Sequence, residues 1–350
     1  MARKAELPPY GLPAKNRSVL LVRRPEAIPQ PCDFELADSA VPDPGEGRFL
    51  VRNLFLSVDP AQRGWAADVA NYSSPVPLGT PMRALAVGIV VSSRCDGVAE
   101  GDLLYGWFGW QYYCVAGPDQ ILLRGIFDVP LTAYLGLLGI NGMTAYLALT
   151  EIGRPEAGET LLVSTAAGAV GSFVGQIGKL RGCTTIGLTG SAAKVARCEQ
   201  SYRYDMAINY KDEDWQDRLA EALPNGADIY FDNTGGPILD AALRRMAVGG
   251  RIVQCGTASI ATWNPPPQGP RNEREILTRR LQWGGFVIFD HLARFQEAAE
   301  RLCAWYNEGA IICDEDISVG IDQAPGSIAD IYAGRNSGKK MIDVTCPDGQ

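Results

Sequence analysis

The sequence predicts an α/β fold in which a doubly wound parallel sheet accompanies a second, mostly β domain. Three observations support this prediction. From about residue 160, strand-like and helix-like segments alternate at the spacing of βαβ units. Residues 1–135 are instead rich in Gly and Pro and contain short β-type runs, as in a barrel-like domain. A glycine-containing turn, AAGAVG at 166–171, separates the first strand of the alternating region from its first helix.

Length and composition limit the class of protein. The 350 residues are sufficient for two domains, and 46% apolar with 21% charged residues is an ordinary globular composition. The 32 basic and 40 acidic residues give a net charge of −8, which argues against a nucleic-acid or membrane-surface binder. No apolar run approaches the roughly 18 residues of a membrane-spanning helix, and the N-terminus has no signal-peptide core. We therefore expect a cytoplasmic protein without nucleic-acid or membrane partners.

Cysteine and histidine usage restricts the chemistry. The nine cysteines are scattered without a CxxC pair, as is typical of free thiols in a reducing cytosol. His291 is the only histidine, so a histidine-rich metal site is excluded, and we expect this side chain at a polar surface or strand end. We predict neither a metal site nor an imidazole base, which favours chemistry carried by an organic cofactor.

The predicted elements follow from the apolar patterns. In the first domain, the β-type runs are 18–24, 48–58, 84–93, 102–110 and 111–117, and a helix is predicted over Leu131–Ile152. In the alternating region, strands are predicted at 160–164, 184–190, 207–210, 227–233, 250–259 and 284–290, and helices after the glycine turn and at 192–201, 215–223, 238–246, 273–283 and 292–308. Right-handed crossovers then give a doubly wound sheet of about six strands. The segment from Ala310 onward looks β-rich and is expected to return to the first domain.

The turn at 166–171 has the G-x-G-x-x-G spacing, with Ala166 in the position of the first glycine. In such a turn, the backbone at Gly168 approaches a pyrophosphate and Gly171 lets the helix pack on the strand. The phosphate then lies on N–H groups at the helix N-terminus. The alternative is a tight strand–helix turn without a nucleotide. The strand before it and the helix after it favour a dinucleotide site.

The end of the second strand indicates which dinucleotide is bound. An NAD site usually has Asp or Glu there, about 20 residues after the glycines, to bind the ribose 2′-hydroxyl. This strand ends in Gly190 and Ser191 without an acid, and Lys194 and Arg197 follow. A lysine in place of the acid suits a 2′-phosphate, although it could also be a solvated residue of a first helical turn. The sequence therefore favours NADP(H).

Eight stretches that run in order along nearly the whole chain match one family: VRNLFLSVDPAQRG (51–64), GMTAY (142–146), AAGAVGS (166–172), INYK (208–211), YFDNTGG (230–236), GRIVQCG (250–256), GFVIFD (285–290) and GRNSGK (334–339). With these stretches the chain resembles a zinc-free medium-chain dehydrogenase/reductase, in the branch of prostaglandin reductases, alkenal reductases and curcumin reductases. The Cys, His and Glu pattern of the zinc-binding members is absent.

The resemblance implies a GroES-like domain, formed by residues 1–135 and completed by 310–350, and a Rossmann NADP-binding domain at 136–309. It also implies the cofactor-binding residues: Gly168, Ala169, Val170 and Gly171 at the pyrophosphate; Lys194 and Tyr210 at the 2′-phosphate; Asn233, Cys255, Gly256 and Ser259 beside adenosine and ribose; Phe286, Val287, Ile288 and Thr144 near the nicotinamide; and Asn336 from the returning tail. Family members are often homodimers that pair along a Rossmann sheet edge, for which GGFVIFD is the candidate here.

Several of these residues have a second interpretation. Tyr210 and Phe286 could be core aromatics, Asn336 could be a turn residue, and Cys255 is expected to contact the cofactor through its backbone. The chain also departs from the family: Gln62 stands where relatives usually have Met, and residues 260–263 lack a tyrosine found in many relatives. The pocket is therefore expected to differ. Five aromatic residues either line an apolar cavity or pack in the core: Trp65, Tyr72, Trp107, Trp110 and Trp263.

The resemblance implies NADPH-dependent reduction of activated C=C bonds in α,β-unsaturated ketones or aldehydes. Hydride is transferred to the β-carbon, and the enolate is then protonated at the α-carbon. This chemistry requires oriented reactants and a hydrogen bond to the developing enolate oxygen. The proton donor is a cofactor ribose hydroxyl, a tyrosine or water, and Tyr72 is the candidate side chain. The alternatives are a quinone or carbonyl reductase using the same cofactor, and a non-catalytic NADPH-binding relative.

Overall fold

A computed structural model describes residues 7–68, 72–125, 127–260, 265 and 267–346. The chain divides into two compact units, one formed by Met1–Gly139 with Glu315–Gln350 and the other by Ile140–Asp314. The sequence had predicted these boundaries after residue 135 and before residue 310.

The elements are numbered in chain order. The strands are β1 (Lys15–Leu21), β2 (Phe34–Ala40), β3 (Phe49–Ser57), β4 (Thr80–Pro81), β5 (Ala86–Ser93), β6 (Leu103–Gly106), β7 (Tyr113–Ala116), β8 (Ile121–Arg124), β9 (Thr160–Ser164), β10 (Thr184–Thr189), β11 (Met206–Asn209), β12 (Ala227–Asp232), β13 (Met246–Gln254), β14 (Gln282–Gly285), β15 (Glu315–Val319) and β16 (Lys339–Asp343). The α-helices are α1 (Ala61–Ala66), α2 (Ile140–Ala148), α3 (Gly171–Leu180), α4 (Ala192–Gln200), α5 (Trp215–Ala222), α6 (Gly236–Leu243), α7 (Glu273–Arg279), α8 (Phe295–Asn307) and α9 (Ala324–Tyr332). Short 3₁₀ segments cover Pro31–Asp33, Pro118–Gln120, Leu131–Tyr134, Ile288–Arg294 and Ile321–Gln323, and a π-turn covers Leu149–Gly153.

The first unit is built from two sheets. The smaller has the order β2-β1-β4, and the larger has the order β15-β16-β3-β5-β6-β8, with β7 also paired to β3. All residues of β3 are buried, because this strand pairs with β5, β7 and β16 and lies inside the larger sheet. The C-terminal segment thus contributes a strand beside β3, with Met341 opposite Ser57.

The C-terminal segment also contains a helix that the sequence analysis missed. The expectation of a β-rich tail is wrong for Ala324–Tyr332, which forms α9. Proline stands at the start of this helix, where its missing N–H costs no intrahelical bond. Ala324 and Ile328 are buried one turn apart, which is the helical period. Strand β2 and helix α1 were not predicted either.

The second unit contains the doubly wound sheet that the sequence predicted. Its six strands have the order β11-β10-β9-β12-β13-β14, and every pairing is parallel. Numbered within this unit the order is 3-2-1-4-5-6, the arrangement of dinucleotide-binding sheets, in which the direction of winding reverses between β9 and β12. This confirms the predicted fold class.

Some predicted boundaries in this unit are wrong. The helix expected at 273–283 ends at Arg279, because Arg280 adopts a left-handed conformation with φ +54° that terminates it. Strand β14 therefore begins at Gln282 and ends at Gly285, and the last residues of GGFVIFD belong to the 3₁₀ segment Ile288–Arg294. The helix expected over Leu131–Ile152 is divided into a 3₁₀ turn, which belongs to the first unit, and α2 and a π-turn, which belong to the second. Among the described residues, no helix is long and apolar enough to cross a membrane.

Candidate functional site

The turn that follows β9 is sharp and held by backbone hydrogen bonds. Thr165 has φ +53°, an uncommon conformation for a β-branched residue, and reverses the chain directly after the strand. The amide of Gly168 donates to the carbonyl of Thr165 at 2.8 Å, and the amide of Ala166 donates to Leu188 of β10 at 3.0 Å. The turn is therefore closed on itself and fixed to β10.

The alanine in the first glycine position has a structural reason. Ala166 is fully buried, and a Cβ on Gly187 of β10 would lie only 2.7 Å from the Ala166 methyl group. The methyl group thus occupies space that a glycine on the adjacent strand leaves open. This compensation explains why the turn keeps its shape despite the departure from G-x-G-x-x-G.

The two remaining glycines of the turn have no room for a side chain. A Cβ on Gly171 would lie 2.2 Å from the carbonyl oxygen of Thr165, and one on Gly168 would lie 2.7 Å from the Thr165 Cγ2. Helix α3 begins at Gly171 without a side-chain cap at Val170. Since the first N–H groups of a helix have no intrahelical acceptors, an uncapped and glycine-lined helix start fits the phosphates of a dinucleotide.

A buried tyrosine that the sequence analysis missed supports this helix start. The Tyr204 hydroxyl donates to the carbonyl of Gly171 at 2.7 Å, and its ring fills the space beside Gly175, where a Cβ would lie 2.1 Å away. Burial raises the pKa of Tyr204 well above its ordinary value, so it stays a hydrogen-bond donor. The sequence signal that was available is the pair Gly171 and Gly175, one turn apart on α3. Two glycines on one helix face indicate that a large side chain packs against that face.

The end of β10 brings together the residues assigned to a 2′-phosphate. Ser191 caps α4 by accepting a hydrogen bond from the Lys194 amide at 3.3 Å, which places Lys194 in the first turn of that helix. A Cβ on Gly190 would lie 2.8 Å from the Tyr210 hydroxyl and 3.5 Å from Lys211 Cε, so both side chains approach the strand end. The sequence analysis did not single out Lys211. It is exposed and adds a second ammonium group near this position.

Arg197, one turn after Lys194, is engaged elsewhere. Its guanidinium forms an ion pair with Asp314 at 3.2 Å, and the same carboxylate accepts a hydrogen bond from the Tyr202 hydroxyl at 2.8 Å. Lys194 therefore remains the residue of this helix on which the prediction of NADP(H) depends.

A buried carboxylate organises the carboxyl ends of three central strands. Asp232, the last residue of β12, accepts hydrogen bonds from Ser164 of β9 at 3.0 Å and from Gln254 of β13 at 2.8 Å. Its other donors are the hydroxyls of Tyr230 and Thr234 and the backbone amides of Thr234 and Gly235, all at 2.8–3.0 Å. Asp232 carried no sequence signal of this role, because its partners on the two neighbouring strands, Ser164 and Gln254, are distant in the chain.

The loops after β12 and β13 are attached to each other at this strand end. The Asn233 side chain donates to the carbonyl of Ser164 at 2.7 Å, and the Ser259 hydroxyl donates to the carbonyl of Thr234 at 2.8 Å. A Cβ on Gly256 would lie 2.7 Å from the Asn233 carbonyl oxygen, so glycine is needed there. The structure thus brings together Asn233, Gly256 and Ser259, which the family resemblance assigns to adenosine and ribose.

Cys255 belongs to the same strand end, where its surroundings disfavour the thiolate. Its backbone amide donates to the carbonyl of Asp232 at 2.8 Å. Burial and the nearby Asp232 raise the pKa of the thiol to about 12, so it is protonated at neutral pH. A contact through the backbone is consistent with this environment.

The residues assigned to the nicotinamide differ in their contacts and in their burial. The Phe286 amide donates to the carbonyl of Gln254 at 3.0 Å, which links this residue to the Asp232 network. The Phe286 ring stacks on His291, with centroids 4.5 Å apart and an interplanar angle of 12°. Phe286 and Ile288 are buried, Val287 is partly buried, and Thr144 is buried in α2.

The predicted residues of the first unit have other surroundings. The Asn336 side chain donates to the carbonyl of Gly338 at 2.8 Å, as a turn residue does, and its role toward a cofactor stays a prediction. Tyr72 is 54% exposed. Trp65 and Trp110 are fully buried, so core packing is the right interpretation for these two, whereas Trp107 contacts the Trp65 ring edge-on at 5.2 Å. Trp263 lies outside the described residues.

Comparison with known proteins places the chain in a family. Residues 17–123 match the family model described as the N-terminal domain of oxidoreductase, and residues 169–304 match the one described as zinc-binding dehydrogenase. Within the described residues, no group of three or more His, Cys, Asp or Glu side chains is placed to hold a metal ion.

Relatives match over nearly the full chain. A putative NADP-dependent oxidoreductase, YfmJ of Bacillus subtilis, is 38% identical over 95% of this chain and 99% of its own. The NADPH-dependent curcumin reductase of Escherichia coli is 36% identical over 95% of this chain and 98% of its own. The crystal structure of CurA from Vibrio vulnificus in complex with NADPH superposes with a TM-score of 0.88, at 34% identity, over 95% of this chain and all of that one. The chain therefore belongs to the medium-chain dehydrogenase/reductase family, in the branch of the prostaglandin, alkenal and curcumin reductases.

Proposed function

We infer that this protein is an NADPH-dependent reductase of activated C=C bonds in α,β-unsaturated ketones or aldehydes. Membership of the branch is the observation that carries this inference, because similarity extends over both units and not over the nucleotide-binding half alone. The uncapped start of α3 and the glycine-lined turn before it fit the dinucleotide that such a reaction requires.

The geometry of the second unit supports the assignment of the residues that would hold NADPH. The backbone amides of Ala169, Val170 and Gly171 meet the pyrophosphate. The ammonium group of Lys194, with Tyr210 beside Gly190, meets the 2′-phosphate. When bound, NADPH supplies the hydride that the double bond accepts. The contribution of the chain is to orient both reactants and to exclude water from them.

The developing enolate requires a hydrogen-bond donor, and Tyr72 is the proposed one. Its hydroxyl belongs to an exposed side chain of the first unit, accessible to a substrate. Tyr332 lies near Tyr72. Burial raises the pKa of Tyr332, and the electrostatic effect of Tyr72 raises it further. A phenol in this position can donate to an oxyanion and then deliver the proton at the α-carbon.

The test is NADPH consumption with an enone, a quinone and a simple ketone, followed by product analysis. We expect the saturated ketone to form from the enone, at a higher kcat/KM than that for the other two acceptors. Faster reduction of the quinone or the simple ketone would favour the alternative enzyme class. NADPH binding without turnover of any acceptor would favour a non-catalytic relative.

We further propose a cytoplasmic homodimer. All nine cysteines are free thiols, which suits a reducing compartment. Strand β14 is the last strand of its sheet and carries Trp283, 42% exposed, and the unpaired edge of a strand readily accepts a second chain. Sedimentation of the purified protein measures the mass in solution and tests the dimer directly.

A further inference from the structure

Arg83 is a half-buried cation whose partners are neutral. It lies between β4 and β5, and its Nη1 donates to the hydroxyl of Ser73 and, at 2.9 Å, to the carbonyl of Ser74. Burial lowers the pKa of Arg83, and no carboxylate of the described residues forms an ion pair with it. A negatively charged group on a ligand could therefore stabilise the Arg83 guanidinium.

The donors of this guanidinium are only partly used. Both contacts of Arg83 involve Nη1, and its Nε and Nη2 donate to no described residue. In Arg17, these two nitrogens bind both oxygens of Asp38, at 2.7 and 3.2 Å. In the buried Arg52, they donate to the carbonyls of Gly11 and Val344. The edge that Arg83 leaves available is the one that binds a carboxylate with two parallel hydrogen bonds.

The position of Arg83 connects it with the proposed proton donor. Its two partners, Ser73 and Ser74, directly follow Tyr72 in the chain. Its backbone carbonyl accepts a hydrogen bond from Gln62 of α1 at 3.1 Å, which fixes the segment between β4 and β5 to that helix. Arg83 thus lies where the Tyr72 segment and α1 meet.

We propose that Arg83 is a specificity-determining residue that binds a carboxylate on the substrate. The preferred substrates are then α,β-unsaturated ketones or aldehydes that also carry an acidic group. This inference rests on the proposed function and refines it, because it concerns a part of the substrate that does not react. Arginine provides a planar fork for the carboxylate, which the single ammonium group of a lysine cannot match.

The experiment compares a linear methyl enone ending in a carboxylate with its methyl ester, over a short series of chain lengths. For at least one length, we expect the wild-type protein to reduce the acid with a higher kcat/KM than the ester. Arg83→Met should lower kcat/KM for the acid by about 10- to 100-fold, the value of a hydrogen bond to a charged group, mainly through KM. Its effect on the ester should stay within about twofold.

Two further variants separate recognition from structure. Arg83→Lys keeps the charge and should lose part of the preference for the acid. Arg94→Met is the matched control, because Arg94 lies in the same unit and already forms an ion pair, with Asp43 at 3.0 Å. This variant should leave kcat/KM unchanged for both the acid and the ester.

The outcomes are distinct. Equal loss for acid and ester in Arg83→Met would assign Arg83 to holding the Tyr72 segment and overturn the proposal. A wild-type protein that reduces the ester without preferring the acid at any length would also overturn it, while the proposed function would stand. If neither compound is reduced, the proposed function fails and this inference fails with it.

Discussion

Replacing Gly171 with alanine tests the phosphate turn most directly. The added Cβ would lie 2.2 Å from the carbonyl oxygen of Thr165, whereas real Cβ atoms essentially never approach closer than 3.0 Å. Because Thr165 O already accepts the Gly168 amide at 2.8 Å, the obstacle is fixed backbone. The start of α3 must therefore shift by roughly 0.8 Å.

The shift has two measurable consequences. Overpacking of this kind costs about 1–3 kcal/mol of unfolding free energy, so Tm should fall. Displacement of the amides at the helix start removes one or more hydrogen bonds to a charged phosphate, and each such bond is worth about 1.5–3 kcal/mol. We therefore expect the Kd for NADPH to rise by about 10- to 100-fold, as measured by fluorescence titration of the folded variant.

Gly178→Ala provides the matched control on the same helix. Its Cβ would meet the buried side-chain atoms Leu161 Cδ2 at 2.5 Å and Thr185 Cγ2 at 3.1 Å, which are not part of the turn at 166–171. This variant should change stability but leave the NADPH Kd within about twofold of wild type. If Gly171→Ala binds NADPH as tightly as Gly178→Ala does, the assignment of the pyrophosphate to this turn is refuted.

Three further predictions concern the cofactor, the proton donor and pH. Lys194→Ala should weaken NADPH binding by about 10- to 100-fold and NADH binding by less than twofold, because only NADPH has the 2′-phosphate; equal effects in titrations of both nucleotides would contradict the charge argument. Tyr72→Phe should lower kcat with an enone by roughly 10²–10³-fold if its hydroxyl stabilises the enolate, and unchanged turnover would exclude that role. The Cys255 thiol has a pKa of about 12, raised from 9.0, so above pH 9 the unfolded chain releases a proton that the folded chain retains. Stability should therefore decrease as pH rises from about 9 toward 12, and Cys255→Ser should reduce the slope of unfolding free energy against pH by up to about 1.4 kcal/mol per pH unit; identical slopes in alkaline denaturation would contradict the burial of this thiol.

Much of the second unit was predictable from local patterns. Strand β9 has the predicted bounds, and β10, α4, β11, α5 and β12 differ from prediction by about one residue at either end, because apolar strand runs alternate clearly with helical segments. The predictions fail where a single backbone conformation decides the outcome, as at Arg280, whose left-handed conformation ends α7 ahead of β14. They also fail in the tail, where composition does not distinguish α9 from a strand.

The sequence by itself determined the fold class, the glycine turn and the preference for NADP(H), because each depends on residues that are neighbours in the chain. Only the tertiary structure showed that Tyr204 supports the start of α3 and that Asp232 connects strands β9, β12 and β13. Ser164 and Asp232 are 68 residues apart in the chain, so their hydrogen bond leaves no periodic signal. The sequence also left the hydrogen bonds of Arg83 undetermined, because the residues that its guanidinium can reach are known only from the folded chain.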